Sequence, residues 1–208
     1  AATNNDVENK YGYRYGKWLT ASLYAKCEFV GVSKGDCSCK VEYAYDLPNL
    51  QDEKVHLVYE VYGDGKIIVD MSYQPVVSEI EMPVFGLIFQ LYKDMEEVNY
   101  YGFGPEENYI DRNKGALLGK YTYQVTDNLT PYLYPQECGN RTHVRELSVA
   151  GENTKLKIKG EDFEFSALHY TPYELENARH KDELPNVYQT VLCCLLYTSP
   201  SPRDYAAS

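Results

Sequence analysis

Apolar and polar residues alternate through much of this chain. In the segment Val55–Tyr62, every second residue (Val, Leu, Tyr, Val) is apolar, while His and Glu lie between them. This period of two predicts a β-strand with one face turned to a core. The turn signal Gly63-Asp-Gly-Lys66 follows, and residues 67–73 return with a second apolar run. The two segments therefore predict a β-hairpin.

The same pattern continues along the chain, and helical periodicity is scarce. Short strands joined by Gly, Pro and Asp turns predict an all-β fold, an antiparallel sandwich. Two helices are expected, at Tyr13–Tyr24 and at Pro172–His180, where Thr171 can act as the N-cap. Neither an internal repeat nor a linker is visible, so residues 1–192 are predicted to form one domain. Further strands are predicted at Leu23–Val30, Ser38–Asp46, Val84–Tyr92, Lys120–Val125, Val144–Ala150, Lys155–Ile158 and Phe163–Leu168.

Composition narrows the possible partners. The chain of 208 residues has 31 acidic and 20 basic residues and a formal net charge of −11. Nucleic acids and anionic membranes need a positive surface, so neither is expected as a partner. No apolar run approaches the ~18 residues of a membrane-spanning helix. The 22 tyrosines suit half-buried sheet faces, and a tyrosine ring can also stack on a sugar.

Cysteine usage favours a reduced compartment. The six cysteines show no convincing disulfide pairing, and Cys37-Ser-Cys39 lacks the second ligand pair of a zinc site. No metal ligands or cofactor are therefore expected in this chain. No signal peptide is visible, and the start at Ala1 has no initiator Met and looks like the middle of a longer protein.

Two segments concentrate polar and turn-forming residues. Gly102-Phe-Gly-Pro-Glu-Glu-Asn-Tyr-Ile-Asp-Arg112 contains glycines that allow unusual backbone angles, and a proline that could open a helical turn. Tyr134-Pro-Gln-Glu-Cys-Gly-Asn-Arg-Thr142 is similarly dense in polar groups. Buried polar groups need partners, so we expect the two segments to lie together and to face another protein surface. An arginine there is expected to pair with a glutamate.

Both segments resemble the C-terminal domain of large bacterial β-galactosidases of the glycoside hydrolase 2 type. The resemblance runs in order from Ala1 to about Leu192. It implies a large antiparallel supersandwich related to galactose mutarotases, truncated at its C-terminal edge. The matching segments are Ala2–Asp6, Pro83–Asp94, Gly102–Arg112, Tyr134–Leu147, Ser166–Tyr170 and His180–Pro185.

The resemblance also implies a function. The family hydrolyses terminal non-reducing β-D-galactose residues, as in lactose catabolism, and retaining hydrolysis needs two carboxyl groups about 5–5.5 Å apart. In the family both glutamates, and the magnesium and sodium ligands, lie on a barrel that nothing in this chain resembles. The chain is therefore expected to shape the active-site rim and the assembly of a bacterial enzyme, without catalytic residues of its own. That enzyme is expected to be cytoplasmic or periplasmic and to be a homo-oligomer.

Specific residues follow from these arguments. Contacts with the upstream catalytic barrel are expected from the two polar segments. Some relatives place a sugar-contacting tryptophan in this domain, and the matching position here is Thr190. The expected interdomain residues are Glu106, Glu107, Asn108, Arg112, Glu137 and Arg141.

Two other classes of function stay open. A free-standing carbohydrate-binding sandwich would use the tyrosines, and an aldose epimerase would need an acid/base set. His143, His169 and Glu137 could supply that set, although both histidines lie in strand-like sequence, where a hydrogen-bonded sheet histidine is the alternative. Glu106 and Glu107 are adjacent, so they cannot face each other across a glycosidic bond.

The last residues of the chain have a different character. Sheet-like sequence is predicted to stop near Leu192, and residues 193–208 show no periodicity. They resemble one reading frame of an adapter used to prepare sequencing libraries. We therefore predict a non-native tail at 193–208 that carries no function.

Overall fold

The computed structural model of the chain describes residues 11–48, 54–73 and 82–198. Its contacts divide the chain into two compact units, residues 2–81 and residues 82–208. The sequence interpretation of residues 1–192 as one domain stays a prediction. The match at residues 2–6 and the end of the predicted tail, residues 199–208, lie outside the described residues.

The first unit is a helix followed by an antiparallel meander. Helix α1 spans Tyr11–Leu23, and the sheet order β1-β2-β3-β4 follows the chain. The predicted Gly-Asp-Gly-Lys turn is present, with Gly65 at φ +87° and its N–H donating to the Tyr62 carbonyl at 3.1 Å. Trp18, Ala21, Ala44 and Leu57 are buried in this unit. The strands are β1 Lys26–Lys34, β2 Ser38–Asp46, β3 Lys54–Tyr62 and β4 Ile67–Tyr73.

The second unit is built on a sheet of six strands, in the order β5-β10-β9-β8-β6-β7. Every pairing in it is antiparallel. Helix α2 (Pro172–Asn177) and two 3₁₀ turns lie in the connections. The strands are β5 Val84–Leu91, β6 Glu97–Gly104, β7 Leu117–Gln124, β8 Arg141–Ala150, β9 Lys155–Leu168 and β10 Thr190–Thr198.

One face of this sheet carries the core of the unit. Alternation along β6 places Val98 and Tyr100 on that face, and Phe165 and Leu192 join them from β9 and β10. Tyr100 packs edge-on against Phe165, with ring centroids 5.3 Å apart. Aromatic pairs at this spacing add to the stability gained by burying their area.

Strand β8 keeps its apolar residues on the core face by two register shifts. Arg141, Val144 and Leu147 are all buried, although they are three residues apart rather than two. The pairing with β9 shifts between Arg141 and Val144 and again between Val144 and Glu146. His143 lies in the first shift with a left-handed φ of +53°. At the first shift β8 has one residue more than β9 between the paired positions, and at the second shift β9 has two more, so the buried residues of β8 depart from strict alternation.

The all-β, antiparallel class predicted from the sequence is confirmed, and the four-stranded and six-stranded antiparallel sheets are the kind of layer from which a sandwich is built. The bounds of β2 and β4 agree with the prediction. Strand β6 was missed, because its end contains Gly102 and Gly104 and was assigned to a loop. The two predicted strands at 155–158 and 163–168 are one long strand, β9.

Helix α2 spans Pro172–Asn177 and ends three residues before the predicted end at His180. Its predicted cap is present as a full capping box. The Glu174 N–H donates to the Thr171 hydroxyl, and the Glu174 side chain accepts from the Thr171 N–H at 2.7 Å. Ala178 is already extended, so the helical pattern stops there.

The predicted end of the sheet near Leu192 is wrong. Strand β10 continues to Thr198 and pairs on both sides, with β5 and with β9. It is an interior strand, so the open edges of this sheet are β5 and β7 and not the C-terminal strand. The apolar run Cys193-Cys-Leu195 lacks alternation because β10 is buried on both faces over this part. The adapter origin of residues 193–208 stays a prediction.

Shortening the chain tests the role of β10. The free energy of unfolding of a chain that ends at Leu192 should be lower than that of a chain that ends at Thr198, by at least about 2 kcal/mol. It loses the buried Cys193 and Cys194 side chains and their ladder hydrogen bonds. Urea unfolding of both chains measures the difference. If the urea unfolding curves of the two chains have equal midpoints and slopes, residues 193–198 do not stabilise the sheet.

Candidate functional site

The first polar segment begins inside the sheet. Gly102 lies in β6, where a Cβ would come within 2.7 Å of Val144 Cγ2. The residue is therefore needed for close packing between β6 and β8. Its backbone has no unusual angle, contrary to the prediction, since the positive-φ glycines of the described chain are Gly65 and Gly139. The helical turn predicted from Pro105 does not form, because residues 105–108 are bend and coil.

Glu107 joins the two polar segments. Its carboxylate accepts hydrogen bonds from the Gly139 N–H at 2.8 Å, the Thr130 hydroxyl at 2.8 Å and the Tyr132 hydroxyl at 2.5 Å. Arg112 completes the set with an ion pair of 3.0 Å. We call residues 105–112 and 129–140 the loop cluster. One side chain therefore fixes three turns of irregular backbone.

The surroundings of Glu107 stabilise its charged form. Burial by itself would raise its pKa, but the hydrogen bonds from Gly139, Tyr132 and Thr130 and the charge of Arg112 outweigh burial and lower the pKa. Hydrogen bonds to an ionised acceptor are stronger than neutral ones. The carboxylate is therefore a fixed structural anion and not a proton donor.

Asn108 and Asn140 bind each other across the two segments. The Asn108 N–H donates to the Asn140 carbonyl at 2.9 Å, and Asn140 Nδ2 donates to the Asn108 carbonyl at 3.1 Å. Asn108 Oδ1 also accepts from the N–H of Thr142 at 3.0 Å and from its hydroxyl at 2.6 Å. Both asparagines are buried. The prediction that the two segments lie close together is confirmed.

Arg141 is buried without a carboxylate beside it in the described chain. Its Nε donates to the Tyr100 hydroxyl at 3.1 Å, and Nη2 donates to Asn128 Oδ1 at 3.1 Å. Its Nη1 donates to the Asn140 carbonyl at 3.0 Å, and the Tyr123 ring lies 5.2 Å from the guanidinium. Neutral oxygens and aromatic rings therefore hold this charge, which a planar guanidinium permits better than an ammonium.

Gly139 allows the second segment to turn. Its φ is +72°, and a Cβ there would lie 2.4 Å from Asn128 Nδ2. Asn128 uses that nitrogen to bind the carbonyls of Gly139 at 3.1 Å and Ala167 at 3.0 Å. Both the turn and the hydrogen bonds of Asn128 therefore require a residue without a side chain at Gly139.

The expected arginine–glutamate pairing is confirmed for Arg112 and Glu107 only. Glu106 is exposed. Within the described chain, neither Glu106 nor Glu137 forms an ion pair with an arginine. Part of the Glu137 side chain is exposed, yet its carboxyl group is surrounded by protein atoms and faces Glu164 and Glu176. Desolvation first, and then repulsion by these acids, raises its pKa.

The residues suggested for acid/base chemistry are separate from one another. His143 pairs with Asp162 at 3.1 Å on the surface. His169 is buried and contacts the Gln189 carbonyl at 3.0 Å and Glu96 at 2.9 Å. Within the described residues, no hydrogen bond or ion pair joins any two of His143, His169 and Glu137. The geometry of an epimerase is not present in these three side chains.

Thr190, the match to a sugar-contacting position, is fully buried at the start of β10. In this chain its side chain is therefore not presented to a ligand. The hydroxyl has no hydrogen-bond partner within the described residues. The sequence also gave no sign of Thr130, Tyr132 and Asn128, because they lie outside the two polar segments and are ordinary loop residues by type.

Apolar side chains project from the loop cluster. Leu133, next to Tyr132, is 86% exposed, and Ile110, between Tyr109 and Arg112, is 46% exposed. Tyr134 is half exposed and stacks on His180 with ring centroids 6.3 Å apart. Rigid backbone that carries exposed apolar tips is typical of a protein interface.

Neither a metal centre nor a spanning helix appears in the part of the chain that is described. No group of three or more His, Cys, Asp or Glu side chains there could hold a metal ion. No helix in those ranges is long and apolar enough to cross a membrane.

Comparison with known proteins gives the family. The sequence model described as "Beta galactosidase small chain" matches residues 1–199. The chain is 37% identical over 187 residues to a β-galactosidase of Streptococcus thermophilus, covering 88% of this chain and 18% of that protein. It is 37% identical over 193 residues to one of Lactobacillus delbrueckii subsp. bulgaricus, covering 92% and 19%. The chain belongs to the β-galactosidase small-chain family.

The extent of these matches shows where such a domain occurs. The chain spans about a fifth of the length of each of these two relatives. It is also 29% identical over 226 residues to a β-galactosidase small subunit of Latilactobacillus sakei, and there it covers 70% of that protein. The domain is therefore found both within long β-galactosidases and in a separate small subunit.

Glu107→Gln should lower the free energy of unfolding at neutral pH by about 2 kcal/mol, because it removes the charge that four donors bind. Since the folded-state pKa of Glu107 is lowered, its contribution is present above the ordinary carboxyl pKa and is lost as the pH falls through the folded-state value. The difference from wild type should therefore shrink in acid.

Glu106→Gln is the matched control, since Glu106 is the neighbouring residue and is exposed. Urea unfolding of both variants across the acidic range measures the effect. Equal losses in the two variants, or a Glu107→Gln difference that does not change with pH, would contradict the anchoring role.

Proposed function

We propose that this chain is the C-terminal β-domain, or the separate small chain, of a bacterial β-galactosidase that removes terminal non-reducing β-D-galactose from lactose-type substrates. Membership of the small-chain family supports the proposal. The relative from Latilactobacillus sakei favours a subunit that associates with a large chain. The relatives of which it covers about a fifth are equally consistent with a domain of one long chain.

The loop cluster is the surface proposed to contact the catalytic barrel. Its backbone is fixed by Glu107 and by the Asn108–Asn140 pair, so little conformational entropy is lost when a partner binds. Leu133 and Ile110 offer apolar area at its tips. Arg112, Glu106 and Glu137 add charge that can be matched across an interface.

Arg141 has a different role in this proposal. It is buried below the cluster and holds Asn140 and Asn128, so it positions the surface without touching the partner. The proposed contact residues are Glu106, Glu107, Arg112 and Glu137, together with the apolar tips Leu133 and Ile110. Asn108 is buried like Arg141 and supports this surface from within. Catalytic carboxylates, magnesium and sodium would belong to the barrel, and homo-oligomer formation would belong to the complete enzyme.

The isolated chain should hydrolyse no β-galactoside. Glu106 and Glu107 point to different surroundings, and Glu107 is fully engaged as a structural anion. A chromogenic galactoside assay of the chain and of Glu106→Gln should give the buffer rate for both. Turnover by the chain that Glu106→Gln abolishes would overturn this assignment.

A chimera tests the interface. The matching C-terminal part of the Streptococcus thermophilus β-galactosidase is replaced with this chain, at 37% identity. Leu133→Asp in the chimera should lower turnover at least about tenfold, since burying an unpaired charge at an interface costs more than 1.4 kcal/mol. Arg112→Ala should act in the same direction.

Ile88→Asp is the control, because Ile88 is an apolar residue of β5 that is 51% exposed and outside the loop cluster. A thermal melt of each chimera shows whether a loss of turnover comes from a lost interface contact or from unfolding of the chain. If Leu133→Asp and Ile88→Asp retain the same activity and the same oligomer, the loop cluster is ordinary surface.

A further inference from the structure

The second face of the six-stranded sheet carries a regular polar array. The register places Lys120, Tyr101, Glu146 and Lys159 in one row across β7, β6, β8 and β9. The neighbouring row is Thr122, Asn99, Ser148 and Lys157. We call these two rows the polar platform. It lies on the face opposite the core, away from the loop cluster residues described above.

The platform lines a groove with a volume of about 310 Å³. Four strands span about 14 Å from the first to the last, since neighbouring strands lie about 4.8 Å apart. That width and volume suit a ligand of one or two sugar rings. A flat sheet surface would instead leave the side chains separately solvated.

The side chains combine donors and acceptors beside an aromatic ring. Lys159 Nζ contacts Glu146 Oε1 at 2.9 Å, so an ammonium and a carboxylate lie side by side. Vicinal hydroxyls of a sugar can donate to the carboxylate and accept from the ammonium at the same time. Tyr101 lines the groove next to them and is held by Arg145, whose guanidinium lies 5.7 Å from the ring centroid.

The other row adds neutral groups. The Thr122 hydroxyl donates to Asn99 Oδ1 at 2.6 Å, which fixes the orientation of that amide. The Ser148 hydroxyl lies beside it in the groove. Lys159 is paired with Glu146, so the centre of the array is an ion pair flanked by neutral hydroxyl and amide groups, with Lys120 and Lys157 at its sides. A neutral polyol can bind the ion pair and the neutral groups together, and the parallel titration with phosphate tests whether the lysines bind an anion instead.

We propose that the polar platform is a binding site for a neutral oligosaccharide. The sugar ring packs on Tyr101, and its hydroxyls bind Glu146, Lys159 and Ser148. The affinity is in the millimolar range, as suits an open groove with few buried apolar contacts. Such a site would hold galactosides near the enzyme.

The test is a two-dimensional amide NMR titration of the full chain with lactose, and with inorganic phosphate in a parallel experiment. Lactose should shift amides of β6 and β8 at Asn99, Tyr101, Glu146 and Ser148. Lys159→Gln and Tyr101→Ala should each weaken the lactose affinity at least about fivefold. The same spectra show whether each variant is folded.

Lys155→Gln is the matched control, because Lys155 lies on the same face of β9 but pairs with Ala150 outside the platform. It should bind lactose as the unchanged chain does. Absence of lactose shifts, shifts confined to another surface, shifts with phosphate alone, or equal affinity in Lys159→Gln and Lys155→Gln would each overturn the proposal. Because the chain is used alone, the result is independent of its association with a catalytic barrel.

Discussion

The Glu107 carboxylate accepts hydrogen bonds from Thr130, Tyr132 and Gly139, which all lie in residues 129–140, and Arg112 pairs with it at the surface. Residues 105–112 and 129–140 contain little regular structure, so no helix or strand ladder orders them. Their order comes from side chains that bind backbone. The exposed Leu133 and Ile110 are therefore carried by backbone that Glu107 and the Asn108–Asn140 pair hold in place.

Below this anchor, the chain holds a second charge by different means. Arg141 lies among tyrosine rings, an amide and a carbonyl, and desolvation raises the pKa of Tyr123 so that its hydroxyl stays neutral. A buried ion without a counter-ion is costly unless polar atoms and rings surround it. Glu107 therefore links the loops to one another, and Arg141 links those loops to the sheet.

The sequence was informative where local chemistry decides the structure. Alternation predicted most strands, the Gly-Asp-Gly-Lys turn predicted the β3–β4 hairpin, and Thr171 with Glu174 predicted the capping box. Pairing between distant strands could not be predicted, so the interior position of β10 was missed. In the loop cluster, the partners of Glu107 were hidden for the same reason: Thr130 and Tyr132 are common residues, and only their placement gives them a role.

The two register shifts in β8 affect how the chain tolerates insertions and deletions. Arg141, Val144 and Leu147 reach the core at intervals of three, so each shift inverts the alternation once and the pair of shifts restores it. Deleting one residue between Val144 and Leu147 would leave these two residues at the ordinary interval of two, so both side chains would still face the core without that shift. Deleting one residue from the regular stretch between Leu147 and Val149 would instead turn Val149 away from the core. The irregular stretch of β8 can therefore lose a residue at a place where its regular end cannot.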